Sequence, residues 1–212
     1  MHATRYYLAG WPHSEAKKVL ILLHGRGDTA QGITEITKYL PVDKFAIVVP
    51  EAARKSWYPH SFMAKPEENE PWLSSALQIL KKSTDELEDG GFPSTDVYLL
   101  GFSQGACLAL EFAARNAKRW AGVIGFTGGL IGDRLYRENY SGDFGGTPFF
   151  IGTGDPDSHV PLERVRESVQ VLEEMNAKVD FQVYPGRPHT ISRDELERAS
   201  QLMKSGNPAG NQ

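Results

Sequence analysis

Short apolar runs alternate with longer amphipathic stretches along the whole chain. VLILLHG (19–25), FAIVVPE (45–51), DVYLLGF (96–102), AGVIGFTG (121–128), PFFIGTG (148–154) and VDFQVYPG (179–186) read as strands. Most of them are too continuously apolar to have a wet face, which is the signature of parallel strands covered on both sides. Between the runs, apolar residues recur at helical spacing. Leu73, Leu77, Leu80, Thr84 and Leu87 form one stripe, and Leu162, Val165, Val169 and Leu172 form another. Ile33, Ile36 and Leu40 form a third, with Asp28 or Thr29 as its N-cap, and Leu196, Ala199 and Met203 a weaker fourth. GACLALEFAARN (105–116) is apolar nearly all round, as suits a helix packed on a sheet and roofed by neighbours. Strand–helix alternation of this kind predicts a three-layer α/β fold with a mostly parallel central sheet and helices on both faces. RYYLAGW (5–11) offers an antiparallel edge strand.

The length of 212 residues fits one domain, 1–212, around a single core. One connection is unusually long. Residues 52–72 carry two tryptophans, a tyrosine, a phenylalanine and a methionine, an aromatic content that argues against disorder. We read this stretch as a lid-like loop or pocket wall, with Trp57, Tyr58, Phe62 and Met63 as candidate wall residues and plain surface packing as the alternative. The tail KSGNPAGNQ (204–212) lacks apolar anchors and is expected to be flexible.

A net charge of −4 without basic blocks disfavours nucleic acid as a partner and suits a neutral or apolar small molecule. No apolar run reaches the ~18 residues needed to cross a bilayer, and the first residues lack the apolar centre of a signal peptide, so a soluble, cytoplasmic protein is expected. The single cysteine, Cys107, fits a reducing compartment; its apolar surroundings mark it as buried packing. Neither H-E-x-x-H nor C-x-x-C spacing occurs, so no metal site and no cofactor are expected.

The candidate chemistry lies in LLGFSQGACL (99–108), an apolar strand that turns through G-x-S-x-G into an apolar helix. Such a turn lifts the Ser103 hydroxyl out of the sheet, whereas the bland alternative is a glycine-rich connection with an incidental serine. A serine nucleophile needs a base and a group to orient it. In an open α/β sheet, side chains that act together gather beyond the carboxyl ends of the strands. DPDSHVP (155–161) follows one strand and offers Asp155, Asp157 and His159; RPHTIS (187–192) follows the next and offers His189. Asp155 lies close enough to its strand to cap the turn, while Asp157 can reach a neighbouring loop. His159 shares the acid's loop, which favours His189 as the base. HGRGD (24–28) follows the first long apolar run, so the backbone N–H groups of Arg26 and Gln104 are the candidate oxyanion donors, with a glycine-rich turn before a helix as the alternative.

LLHGRGDTA, GFSQGACLAL, GTGDPDSHVP and YPGRPHTI, in this order, resemble the phospholipase/carboxylesterase family of α/β hydrolases, which includes the acyl-protein thioesterases, over about residues 18–203. The resemblance implies Ser103 as nucleophile, His189 as base, Asp157 as acid (the second aspartate of G-D-x-D-x-x-V-P), and Arg26 and Gln104 as oxyanion donors. It further implies the α/β-hydrolase fold, an intracellular location and frequent homodimerisation. Two positions depart from the pattern: Arg26 stands where many thioesterases carry an apolar residue, and Pro188 where a small or flexible residue is common. The expected activity is cofactor-independent hydrolysis of carboxylic acyl esters. The alternatives are an acyl thioesterase or lysophospholipase with a longer groove, or a non-catalytic ligand-binding protein on a hydrolase scaffold. A dehydrogenase is disfavoured because the glycines around Ser103 do not form G-x-G-x-x-G.

Overall fold

The computed structural model describes residues 1–3 and 5–205. Seven strands, β1 (Tyr6–Gly10), β2 (Lys18–Leu23), β3 (Phe45–Pro50), β4 (Val97–Phe102), β5 (Gly122–Phe126), β6 (Pro148–Asp155) and β7 (Lys178–Pro185), form one sheet in the order β1-β3-β2-β4-β5-β6-β7. All neighbours pair in parallel except β1, which adds the antiparallel edge to β3 with Tyr6 opposite Pro50. The helices are α1 (Ala30–Thr34), α2 (Trp72–Asp89), α3 (Gln104–Arg115), α4 (Leu162–Glu174) and α5 (Arg193–Ser205).

Alternation along the strands divides the core in two. Val19, Ile21 and Leu23 of β2 point to the face covered by α2, α3 and α4, where Trp57, Phe112, Trp120 and Phe149 also pack. Leu20 and Leu22 point to the other face, with Ile33 of α1 and Ala199 and Met203 of α5. Both faces of the central strands are dry, which explains their unbroken apolar sequence. In α3 all residues but Arg115 are buried, because α3 lies on β2, β4 and β5 with α2 against it. The third stripe is corrected in detail. Ile33 to Leu40 is not one α-helix: a single α turn capped by the Thr29 hydroxyl, which accepts the Gly32 N–H at 3.0 Å, passes into a 3-10 stretch at 35–39. α5 runs to Ser205, so the first two residues of the expected tail belong to a helix; 206–212 lie outside the described residues.

Chain order reverses between β2 and β4: β3 lies on one side of β2, and β4 follows on the other. Ligand crevices form at such a switch point, because the loops leaving the two strands diverge there. The register sets Leu23 beside Gly101, so the loop after β2 and the turn after β4 emerge side by side. Two glycines permit the contact. A Cβ on Gly105 would fall inside the Leu23 carbonyl, and one on Gly101 inside the backbone of Gly105. The turn and the start of α3 therefore sit directly against β2.

Candidate active site

Ser103 occupies the turn between β4 and α3 at φ 54°, ψ −120°, a conformation L residues rarely adopt and one that costs on the order of 1–3 kcal/mol. Its N–H donates to the Phe126 carbonyl at 2.9 Å. The Oγ donates to His189 Nε2 at 2.8 Å across 86 residues of chain. On the far side of the ring, His189 Nδ1 donates to Asp157 Oδ2 at 2.7 Å. A carboxylate only accepts, so this contact places the ring proton on Nδ1 and leaves Nε2 as the acceptor facing Ser103. The second Asp157 oxygen accepts the backbone N–H groups of His159 (2.8 Å) and Val160 (3.0 Å). The Asp157 side chain is fully shielded from solvent. Burial pushes this carboxyl up, yet the hydrogen bonds from the His159 amide, the His189 ring and the Val160 amide outweigh it and hold the group below the ordinary carboxylate range.

Asp155, the alternative acid, ends β6 exposed, and its carbonyl accepts the Gly186 N–H at 2.7 Å. His159, the alternative base, lies edge-on to the His189 ring at 5.0 Å, and Phe102 packs tilted on the same ring at 5.2 Å. The two rings confine the imidazole.

The loop carrying His189 leaves the edge strand β7, and a buried group supports it from below. Arg187 Nη2 donates to Thr127 Oγ1 at 2.9 Å and lies 3.4 Å from Glu195 Oε1 of α5. The other Glu195 oxygen accepts the Ser192 N–H and hydroxyl at 2.7 and 2.8 Å. Burial pushes the Glu195 carboxyl up, partly offset by Ser192 and Arg187. Thr127 itself is β-branched yet has φ 56°, a second strained residue beside the turn. Sequence reading missed this support. Its only sequence signals are an arginine two residues before His189 and an acid six after it, and both look like ordinary surface charges.

On the opposite side, Gln104 is the first residue of α3, where backbone N–H groups have no intrahelical acceptor, and Arg26 sits in the loop after β2. Both border, with Ser103 and His189, a cavity of about 400 Å³. Their side chains fasten the long loop. Gln104 donates to the Tyr58 carbonyl (2.8 Å) and accepts the Trp57 N–H (2.9 Å), while the Arg26 guanidinium donates to the carbonyls of Pro59 and His60 at 2.6 and 2.5 Å. Asn69, fully buried, closes the loop on itself by accepting the His60 N–H and donating to the Ser61 carbonyl. Tyr58 and Phe62 line the cavity; Trp57 and Met63 do not, which corrects the expected wall. Trp57 is turned fully into the core because its indole N–H finds the His24 carbonyl at 2.9 Å and its ring packs on the His24 imidazole. Met63 packs half-buried against the same core. Burial holds His24 toward its neutral form, with Nδ1 donating to the Gly25 carbonyl and Nε2 accepting the Ala52 N–H. Cys107 lies at the cavity floor, where burial pushes its thiol up to about 12. Among the described residues no group of three or more His, Cys, Asp or Glu side chains gathers as a metal site would require.

The family model described as Phospholipase/Carboxylesterase matches residues 10–206. The chain belongs to that family. A crystal structure of a phospholipase/carboxylesterase from Dyadobacter fermentans superposes with a TM-score of 0.94 at 50% identity, covering 96% of this chain and 97% of that one. Acyl-protein thioesterase 1 of Kluyveromyces lactis is 26% identical over 89% of this chain and 91% of its own length. A probable carboxylesterase of Arabidopsis thaliana, SOBER1-like, is 26% identical over 90% and 79%. The phospholipase/carboxylesterase fold thus accounts for the sheet order, and no helix among the described residues is long and apolar enough to cross a membrane.

Proposed function

We propose that the protein is a serine hydrolase of carboxylic acyl esters. The observation that carries this reading is the unbroken hydrogen-bond chain from Ser103 Oγ through the His189 ring to the buried Asp157 carboxylate. Ser103 attacks the acyl carbon while His189 Nε2 takes its proton; Asp157 holds the ring and stabilises the imidazolium. The Arg26 and Gln104 backbone N–H groups receive the oxyanion, aided by the partial positive charge at the start of α3. His189 then protonates the leaving group, and water, deprotonated by the same ring, releases the acid and restores Ser103. The substrate is a small-molecule ester.

Ser103→Ala lowers turnover of an activated short-chain ester by ~10⁴- to 10⁶-fold, as loss of a triad nucleophile does elsewhere. A fluorophosphonate labels the wild type at Ser103 and leaves the variant unlabelled. A folded wild-type protein that neither labels nor turns over any ester would instead favour the ligand-binding reading. Relatives named acyl-protein thioesterase support a thioester as the alternative leaving group, and a chain-length profile on matched esters and thioesters separates the two.

A further inference from the structure

The cavity beside Ser103 holds one fixed positive charge, Arg26, and no acid, in a protein that is otherwise acidic. Four of its lining side chains, Arg26, His60, His159 and His189, carry nitrogen bases, and no Asp or Glu lines it. Asp157, which orients His189, is shielded and spent on that ring and two amides. The chain as a whole carries −4, so the local sign runs against the global one. Arg26 is exposed at this cavity, and among the described residues it forms no ion pair. Its two hydrogen bonds go to the backbone carbonyls of Pro59 and His60. Carbonyls are neutral acceptors, so they fix the guanidinium in place without cancelling its charge. Arginine has five N–H donors, and these bonds use two of them.

We infer that Arg26 selects esters bearing an anionic group, a carboxylate or a phosphate-type oxyanion, a few bonds from the scissile carbonyl. This rests on the ester-hydrolase reading and names the substrate class of the same site. The planar guanidinium matches such groups through paired N–H donors. Because the long loop already holds it, less side-chain freedom is lost when the anion arrives than a free arginine would lose. A charge placed on the oxyanion loop also ties recognition of the anion to correct placement of the carbonyl.

The test uses monobenzyl succinate and benzyl phosphonopropionate against benzyl butyrate, three substrates of similar length. A second pair, carboxybenzyl acetate against benzyl acetate, moves the charge to the alcohol side. Wild type favours at least one anionic member over its neutral counterpart by about tenfold in kcat/KM, equivalent to about 1.4 kcal/mol. Which member gains tells carboxylate from phosphonate and acyl side from alcohol side. Arg26→Gln, which removes the charge and leaves a shorter polar amide, abolishes that ratio; Arg26→Lys keeps part of it. An unchanged ratio in Arg26→Gln, or no anionic preference in wild type, overturns the inference and leaves Arg26 a clamp on the loop. A binding arm stands apart from turnover: Ser103→Ala binds monobenzyl succinate more tightly than benzyl butyrate by calorimetry, and adding Arg26→Gln removes the difference. If that preference holds while wild type cleaves none of the esters, the anion site stands and the hydrolase reading falls.

Discussion

Ser103 and His189 meet at 2.8 Å, yet unlike parts of the molecule deliver them. Ser103, Gln104 and Arg26 hang from the ends of β2 and β4, the central strands, whose residues are almost all buried and whose loops are set by backbone-to-backbone contact at Gly101 and Gly105. His189 hangs from β7, a half-buried edge strand, and owes its place to side chains: Asp157, the flanking rings of Phe102 and His159, and the buried Arg187–Glu195 pair. One side is positioned by close-packed main chain, which has little room to adjust. The other is positioned by polar contacts, each of which a single substitution can remove. The two sides should therefore fail differently.

The largest effect separating them is on rate. Asp157→Asn cannot accept from His189 Nδ1 as a carboxylate does, and kcat falls by about 10⁴-fold while the fold persists, as a wrong-tautomer histidine requires. A loss under tenfold would show that the carboxylate does not set the tautomer. Gly105→Ala should break the other side through stability, because its Cβ falls inside the Leu23 carbonyl; denaturant titration should show a loss on the order of 4 kcal/mol. Wild-type stability would mean that α3 can slide on β2. Arg187→Met removes the donor to Thr127 Oγ1, leaves the Glu195 carboxyl buried without its counter-charge and costs about 3 kcal/mol, with a slower rate of fluorophosphonate labelling at Ser103 because the His189 loop loosens. An unaltered labelling rate would confine the pair to stability.

The smallest effect is in pH dependence, where the two buried carboxyls have opposite signs. Asp157 is held below its ordinary value, so the folded state binds fewer protons there than the unfolded chain; its contribution is present above the ordinary aspartate value and is lost as pH falls through the depressed one. Glu195 is held above its ordinary value, so the folded state retains a proton that the unfolded chain releases, and stability declines as pH rises from the ordinary glutamate value through the raised one. Denaturation midpoints across the acidic range should lose the first slope in Asp157→Asn and the second in Glu195→Gln. Identical slopes in all three proteins would refute both assignments.

Much of this molecule was legible before folding. Strands buried on both faces must be apolar throughout and amphipathic helices must carry a stripe, so the alternating layers could be read from patterning alone, together with the edge strand at Tyr6–Gly10. Ser103, Asp157 and His189 stood out because each follows an apolar run at the strand end where side chains converge. The third stripe was less legible. Ile33, Ile36 and Leu40 bury the same face whether the backbone is α or 3-10, so periodicity cannot distinguish the two. Nor can an aromatic residue in a long loop announce its direction. Trp57 and Tyr58 are adjacent and equally apolar, yet one turns to the His24 carbonyl and the other to the cavity, and only the position of β2 beneath them decides which.

Patterning and strand-end motifs are local properties, each recorded in a few consecutive residues whose burial obeys the period of their own backbone. Adjacency is not local. Arg187 finds Thr127 across 60 residues, and Arg26 reaches Pro59 and His60, because the sheet order brings their strands and loops together. Whether a charged side chain is solvated, paired in the interior or left facing a cavity depends on what the other segments place around it, so the support under His189 and the Arg26 charge at the cavity emerge only in the folded chain.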